Sequence, residues 1–453
     1  VTLNSPDLGN ASVGIANKVL YVSLMRIPYG MRYLILKEGE GMNSTGSAME
    51  FKHFLFLWFG AAVSIAEIFA GGILAPLGFA SGISAILLGH LIGIVLLVLC
   101  GIIGSRERIS AIESTRISFG SYGVYLFSIL NVLQLVGWTA IMIISAAKSA
   151  NEVTKMLWQG DYLVVWQLAI GGLIMLWIAL GREGGWKKAN MAAVVMLFVL
   201  TLVLSGLVFN NISGLSQIPA VGGMPFSAGL ELSVAMPLSW LPLIADYTRY
   251  AKSAKSSAWG SGLGYFIGSC WMYIIGLGVA LTAGTADPAS IMVAANLGLA
   301  ALGIIILATV TTTFMDAYSA GVSFSSLCPG LNEKYIAFFM AVIGTVLALI
   351  VNMEQYESFL LAIGSVFAPL FAIVLTDYFW LKNRRIRPEL KANFLALAVW
   401  GLGVALYYKF LAWELAIGAT IPVLVLVSLL YAIVGRVANP WMYCKLSAKH
   451  SSK

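Results

Sequence analysis

Twelve apolar runs, each close to the length that carries a helix across a bilayer, leave few folds open to this chain. A helix rises about 1.5 Å per residue, so about 20 residues cross a hydrocarbon core of about 30 Å. The expected spans are Phe54–Leu77, Ile83–Ile103, Tyr122–Ala147, Tyr162–Leu180, Met191–Phe209 and Phe226–Ile244. They continue as Gly262–Ala283, Leu297–Val322, Tyr335–Val351, Phe359–Trp380, Phe394–Tyr408 and Leu415–Val434. The eleventh is the shortest, closely flanked by Lys391 and Lys409. Composition agrees: 60% of residues are hydrophobic and 10% charged, against about 45–50% apolar and about 25% charged in soluble domains. The expected fold class is an all-α membrane protein.

Orientation follows from Lys and Arg, which collect on the cytoplasmic side. With the N-terminus inside, 24 of the 27 fall in cytoplasmic segments, and only Lys148, Lys155 and Lys409 fall on the other face. One missed helix would scramble that division, so it supports twelve spans with both termini cytoplasmic, as in a bacterial inner membrane. The same distribution accounts for the net charge of +7 without a nucleic-acid partner, which needs a clustered basic surface. Residues 1–48 stand apart. Their semi-apolar patch, Val19–Ile27, is too short to span, no secretory signal is visible, and Met42 and Met49 are both plausible starts. A cytoplasmic or adventitious segment is expected there.

Spans one to five cover Phe54–Phe209 and spans six to ten Phe226–Trp380, 156 and 155 residues. An odd number of spans per half inverts the second half relative to the first. Inverted repeats of this kind mark secondary transporters, whose sites form at midplane where paired helices are interrupted. The expected divisions are 49–212 and 213–383 for the two repeats, 384–436 for helices eleven and twelve, and 437–453 for a cytoplasmic tail.

The interruptions have sequence signatures. Helix one reads GAAVSIAEIFAGGILAPLG, where Gly60, Ser64, Gly71 and Gly72 weaken the helix around Glu67. Helix six, its counterpart, carries Pro237 and Pro242, each removing a backbone donor and freeing carbonyls. Helix eight carries Thr309, Thr311, Thr312 and Thr313 followed by Asp316. Threonines commonly bond back to their own helix, but hydroxyls with freed carbonyls also make an oxygen cage for a small monovalent cation. Glu67 and Asp316 sit deep in their helices, where a charged acid costs roughly 2.5 kcal/mol or more. Asp246 and Asp377 lie at cytoplasmic helix ends, where pairing with Arg249 and with the Lys382–Arg387 cluster is expected. Glu231 is expected near the outer surface, without an assigned role. In helix three Gln134 and Trp138 share a face, an amide beside an indole that suits a planar heterocycle. His90 in helix two is either a packing residue or a proton relay. Cys100, Cys270, Cys328 and Cys444 form no CxxC pair and read as small hydrophobes. No nucleophile–base pair or metal-ligand set points to an enzyme.

These motifs resemble the nucleobase:cation symporter-1 family of cytosine, allantoin and hydantoin permeases, most closely its CytX-type hydroxymethylpyrimidine transporters. The resemblance runs from about Phe51 to Trp380. It rests on WFGAAVSIAEIFAGG, LQLVGWTAIMI, PLIADYTRY, TVTTTFMDAYSAG and FAPLFAIVLTDYFW in that order. It implies a LeuT-like five-plus-five inverted repeat with discontinuous helices one and six and two further C-terminal helices. It also implies a sodium site at the carbonyls of Gly60, Val63 and Ala308 and the hydroxyls of Thr311 and Thr312. The family's stacking tryptophan matches Trp138. A second stacking aromatic aligns with Pro237, so that wall is missing or supplied by Trp240. An amide used by some members aligns near Ala317, leaving Asp316 or Thr313 as substitutes.

The resulting reading is a sodium-coupled importer of a planar aminopyrimidine, hydroxymethylpyrimidine or a cytosine-like base, working by alternating access as a monomer among membrane lipids. A carboxylate accepts from both an amino group and a ring N–H. The expected substrate residues are Glu67, Gln134, Trp138, Met236, Ser239, Trp240, Thr313 and Asp316. The alternatives are proton coupling, with Glu67 titrating and the threonines packing, and a channel.

Overall fold

Lipid offers no water to satisfy open backbone groups, so helices carry the chain wherever it meets the bilayer. The computed structural model describes residues 49–180, 195–196, 198–199, 201–203, 205–206, 212–220, 222–284, 298–328, 330–351 and 353–447. The expectations for residues 1–48 lie outside the described residues. So do most of the fifth expected span and the last residues of the tail.

The first half opens with α1 (Phe51–Ala62) and α2 (Ile65–Ile73), and continues with α3 (Phe79–Glu107), α4 (Ala111–Ser114), α5 (Arg116–Trp158), α6 (Leu163–Leu180) and α7 (Ile212–Gln217). The second half opens with α8 (Phe226–Ser239) and α9 (Leu241–Thr248). It is followed by α10 (Ala254–Ala283), α11 (Gly298–Ser325), α12 (Glu333–Ala348) and α13 (Tyr356–Leu375), then α14 (Phe394–Ala412) and α15 (Thr420–Ser447). Among the described residues seven spans are long and apolar enough to cross a bilayer, and the bent α1–α2 pair makes an eighth. Helices α11, α12 and α15 stand where the eighth, ninth and twelfth spans are expected.

The first expected helix breaks at Val63 and Ser64, and its two pieces meet at 59°. The sixth is interrupted more gently. Trp240 stays in the right-handed helical region between α8 and α9, and Phe226–Thr248 remains one span of 23 residues. The eleventh proves longer than expected because α14 continues past Lys409, whose ammonium lies 5.9 Å from the centre of the Trp413 ring. A long aliphatic stem lets such a charge leave the apolar zone without ending the helix.

Packing around the first break depends on close backbone approach. Gly260, Gly264 and Gly268 of α10 face the backbone of α1, and Gly276 faces α2. A Cβ on Gly264 would lie 2.4 Å from the Leu55 carbonyl oxygen, and one on Gly276 1.9 Å from that of Ile68. Small residues at this spacing bring membrane helices together through dispersion contacts. Helix α3 meets α8 in the same way, with Gly93 against the Pro237 ring.

Three acids are held by partners that their sequence positions did not name. Glu231 is buried within the protein. Its carboxylate accepts from the Tyr407 hydroxyl at 2.6 Å, the Ala419 and Thr420 backbone N–H groups at 2.8 and 3.0 Å, and the Thr420 hydroxyl. It therefore caps α15 and fastens α14 and α15 to the sixth span. Asp246 accepts from the Ala111 N–H at 3.0 Å, while Arg249 donates to the Asp246 backbone carbonyl and sets its charge near the carboxylate. Asp377 accepts from Asn383 at 2.8 Å and Tyr431 at 2.7 Å, so neutral donors hold it in addition to the nearby charge of Arg387. Cys100 and Cys270 are buried, whereas Cys328, at the end of α11, is exposed.

Candidate functional site

Ser64 is the residue that turns the first break into a site. It is extended, and its hydroxyl accepts the Glu67 N–H at 3.3 Å, capping α2. In an unbroken helix that N–H would serve the Val63 carbonyl. No backbone donor among the described residues reaches the carbonyls of Gly60 or Val63. Both carbonyls are thus without a backbone partner at the break. The acidic first turn of α2 also places Glu67 where the helix dipole favours negative charge.

Glu67 points into a small cavity between the two repeats, and two hydroxyls hold its carboxyl. Tyr265 donates to Oε1 at 2.8 Å, and Ser269 Oγ lies 2.6 Å from Oε2. Both come from α10, one turn apart on one face. The cavity encloses about 20 Å³ and is lined by Glu67, Ser64, Trp138, Met142, Met236, Trp240, Thr312 and Asp316, with Ala61 and Ala66. That is room for about one water. A pyrimidine ring enters only if the walls separate.

The walls are aromatic and braced from behind. Trp138 meets Tyr356 and Phe359 edge-on, with ring centres 6.0 and 5.5 Å apart. Trp240 meets Trp58 and Tyr265 in the same manner at 5.5 and 6.1 Å. Such contacts fix each ring plane and contribute about 0.5–1.5 kcal/mol beyond their buried area. Pro237 is turned the other way, against Gly93, so the helix-six wall is Trp240. Asp316 lines the cavity with no hydrogen bond to the protein among the described residues.

Other expected residues sit elsewhere. Gln134 lies behind the cavity, where its amide donates to the Ser239 carbonyl at 2.7 Å and its buried Oε1 has no partner. The Ser239 hydroxyl turns back to the Met236 carbonyl. Asn131, one turn from Gln134, reaches the Pro242 carbonyl at 3.4 Å and Ser323 at 2.8 Å. Helix three thus satisfies carbonyls around the helix-six interruption. Thr313 is fully buried outside the cavity with an unpartnered hydroxyl. Ala308, Thr311 and Thr312 share α11, and among them Thr312 lines the cavity. No cluster of three His, Cys, Asp or Glu that could hold a metal ion occurs among the described residues.

Sequence reasoning missed Ser64 as a cap and the pair Tyr265 and Ser269. The last two had a legible signal, since two hydroxyls four residues apart in an apolar helix share a face.

A family model described as "Permease for cytosine/purines, uracil, thiamine, allantoin" matches residues 45–433. The cytosine permease of Escherichia coli strain K12 is 26% identical over 360 residues, covering 77% of this chain and 84% of that protein. Among solved structures, the inward-facing conformation of Mhp1 superposes with a TM-score of 0.75 at 19% identity, over 88% of this chain and 94% of that one. A closed conformation of Mhp1, a nucleobase-cation-symport-1 family transporter with bromovinylhydantoin bound, gives 0.72 at 21%, over 86% and 93%. Both structures share the fold of this chain.

Proposed function

The chain belongs to the permease family for cytosine/purines, uracil, thiamine and allantoin, and from that premise we propose that it imports a planar aminopyrimidine together with sodium by alternating access. Hydroxymethylpyrimidine or a cytosine-like base is the substrate class. One observation carries the reading: a cavity at the first helix break is bounded by two braced indoles, Trp138 and Trp240, with two carboxyls, Glu67 and Asp316, at its edge. A flat ring stacks on indole, while a carboxylate accepts an amino and a ring N–H together. That pairing favours aminopyrimidines over rings that present only carbonyls.

Sodium takes the carbonyls of Gly60, Val63 and Ala308 and the hydroxyls of Thr311 and Thr312. The free carbonyls at the break support this assignment. Because the break holds the cation on one side and Glu67 on the other, either ligand favours the same arrangement of helix one, which is the condition for coupling. Proton coupling, with Glu67 titrating and the threonines packing, is the second reading; a second buried acid, Asp316, lines the same cavity without a hydrogen bond to the protein among the described residues. The protein acts as a monomer in a bacterial inner membrane with both termini cytoplasmic, and no nucleic acid is involved. A binding screen of pyrimidines and purines on purified protein, with and without sodium, tests the proposal. Aminopyrimidines binding more tightly in sodium support it, and sodium-independent binding confined to purines sinks it.

A further inference from the structure

Glu67 and His90 stand on different helices yet share one hydroxyl, an arrangement that the stacking walls and the cation cage leave unused. His90 Nδ1 lies 2.9 Å from the Ile86 carbonyl oxygen. A carbonyl only accepts, so that nitrogen carries a hydrogen. His90 Nε2 lies 2.6 Å from Ser269 Oγ, and the same Oγ lies 2.6 Å from Glu67 Oε2. Tyr265 closes the set by donating to Glu67 Oε1.

These four contacts need four hydrogens. A neutral histidine, a serine and a tyrosine supply three, and a carboxylate supplies none. The fourth is an additional proton with two possible homes. On Glu67, it points to Ser269 while Ser269 donates to His90. On His90, it points to Ser269 while Ser269 donates to the carboxylate. Either arrangement has no net charge. Without the proton, one 2.6 Å contact would set two lone pairs against each other beside a buried, uncompensated carboxylate.

We propose that Glu67, Ser269 and His90 form a relay for one proton, which rests on Glu67 without substrate and passes to His90 when a substrate N–H engages the carboxylate. This rests on Glu67 being the substrate's partner. The unliganded preference follows from burial, because separated charges are costly there while a carboxylic acid and a neutral imidazole are not. On transfer, the Glu67 O–H bond breaks as Ser269 Oγ takes that hydrogen, and the Ser269 O–H bond breaks as His90 Nε2 takes the other. A carboxylate and an imidazolium result, and net charge is unchanged. Substrate thus meets an ionised acceptor without a proton crossing to water.

The titratable groups facing the relay are Tyr265, Cys270 and Tyr273 of α10, Tyr356 of α13 and Asp316 of α11. His90 also packs edge-on against Tyr273, with ring centres 4.7 Å apart. From α8, Ser233 lies against α3, and Glu231 is turned to Tyr407 and Thr420. Among the described residues no Lys or Arg acts on Glu67.

Infrared difference spectroscopy on the wild-type protein in lipid, with cytosine and hydroxymethylpyrimidine as probes and Glu67→Gln to assign the band, reads the proton directly. The expected result is a protonated carboxyl signal from Glu67 that disappears on probe binding as an imidazolium signal appears. Net proton release to a weakly buffered medium should be near zero. In His90→Gln the proton has nowhere to go, so binding releases it and affinity rises about tenfold per pH unit while the wild type stays flat. An ionised Glu67 in the unliganded wild type, or matching pH profiles for the two proteins, overturns the relay. If neither probe binds, the substrate reading fails, and the unliganded spectrum still decides whether Glu67 holds the proton.

Discussion

At Glu67 the backbone and its neighbours fix one side chain at the candidate site: Ser64 caps its helix, and Tyr265 and Ser269 orient its carboxyl. Replacing it by glutamine keeps shape but removes the charge-assisted acceptor, worth about 1.5–3 kcal/mol. Glu67→Gln is therefore expected to weaken aminopyrimidine binding about ten- to a hundredfold, read by calorimetry, with the unfolding midpoint little changed. At this scale the sequence was informative for residue type and less so for direction. Glu67, Trp138 and Asp316 stood out as polar or aromatic groups in apolar helices, and all three line the cavity. Pro237 and Trp240 could not be separated that way. They are three residues apart on a helix whose phase changes between them, and Gly93 on another helix decides which faces inward. Gln134 looked like a substrate amide, but its donor is spent on the Ser239 carbonyl freed by the nearby interruption.

Among elements, α10 is the brace on which the broken first helix depends. Its glycines let both halves approach, and its hydroxyls reach across to Glu67. A methyl group on Gly276 would collide with the Ile68 carbonyl at 1.9 Å. Gly276→Ala is expected to cost about 1–3 kcal/mol through overpacking, lowering the unfolding midpoint and weakening substrate binding as α2 shifts. Gly172→Ala, where nothing lies within 4 Å, should change neither. A scanning thiol-fluorescence melt separates the two variants. The position of the break was half legible. Gly60, Ser64, Gly71 and Gly72 all suggested weakness, yet the chain parts only at Val63 and Ser64. Gly71 instead admits the backbone of Tyr273, a reason that belongs to a partner helix and leaves no local trace.

For the whole molecule, apolar run length and loop charge gave the helical architecture, because a bilayer accepts so few alternatives. What they left open was how the last two helices attach. The answer is Glu231, whose four acceptor contacts tie α14 and α15 to the sixth span. The proposed orientation makes its own prediction. In a background without native cysteines, Arg385→Cys should react with a membrane-impermeant maleimide only in inverted vesicles, and Glu414→Cys only in intact cells. Reaction of both from one side would remove the topology. The central claim is sodium-coupled import of an aminopyrimidine, and uptake into proteoliposomes tests it most directly. Labelled hydroxymethylpyrimidine and cytosine are offered under an inward sodium gradient, with the membrane potential clamped. The expected result is accumulation of at least one of them that collapses when sodium is equal on both sides and that Glu67→Gln weakens. Uptake indifferent to sodium, or confined to purines, contradicts it.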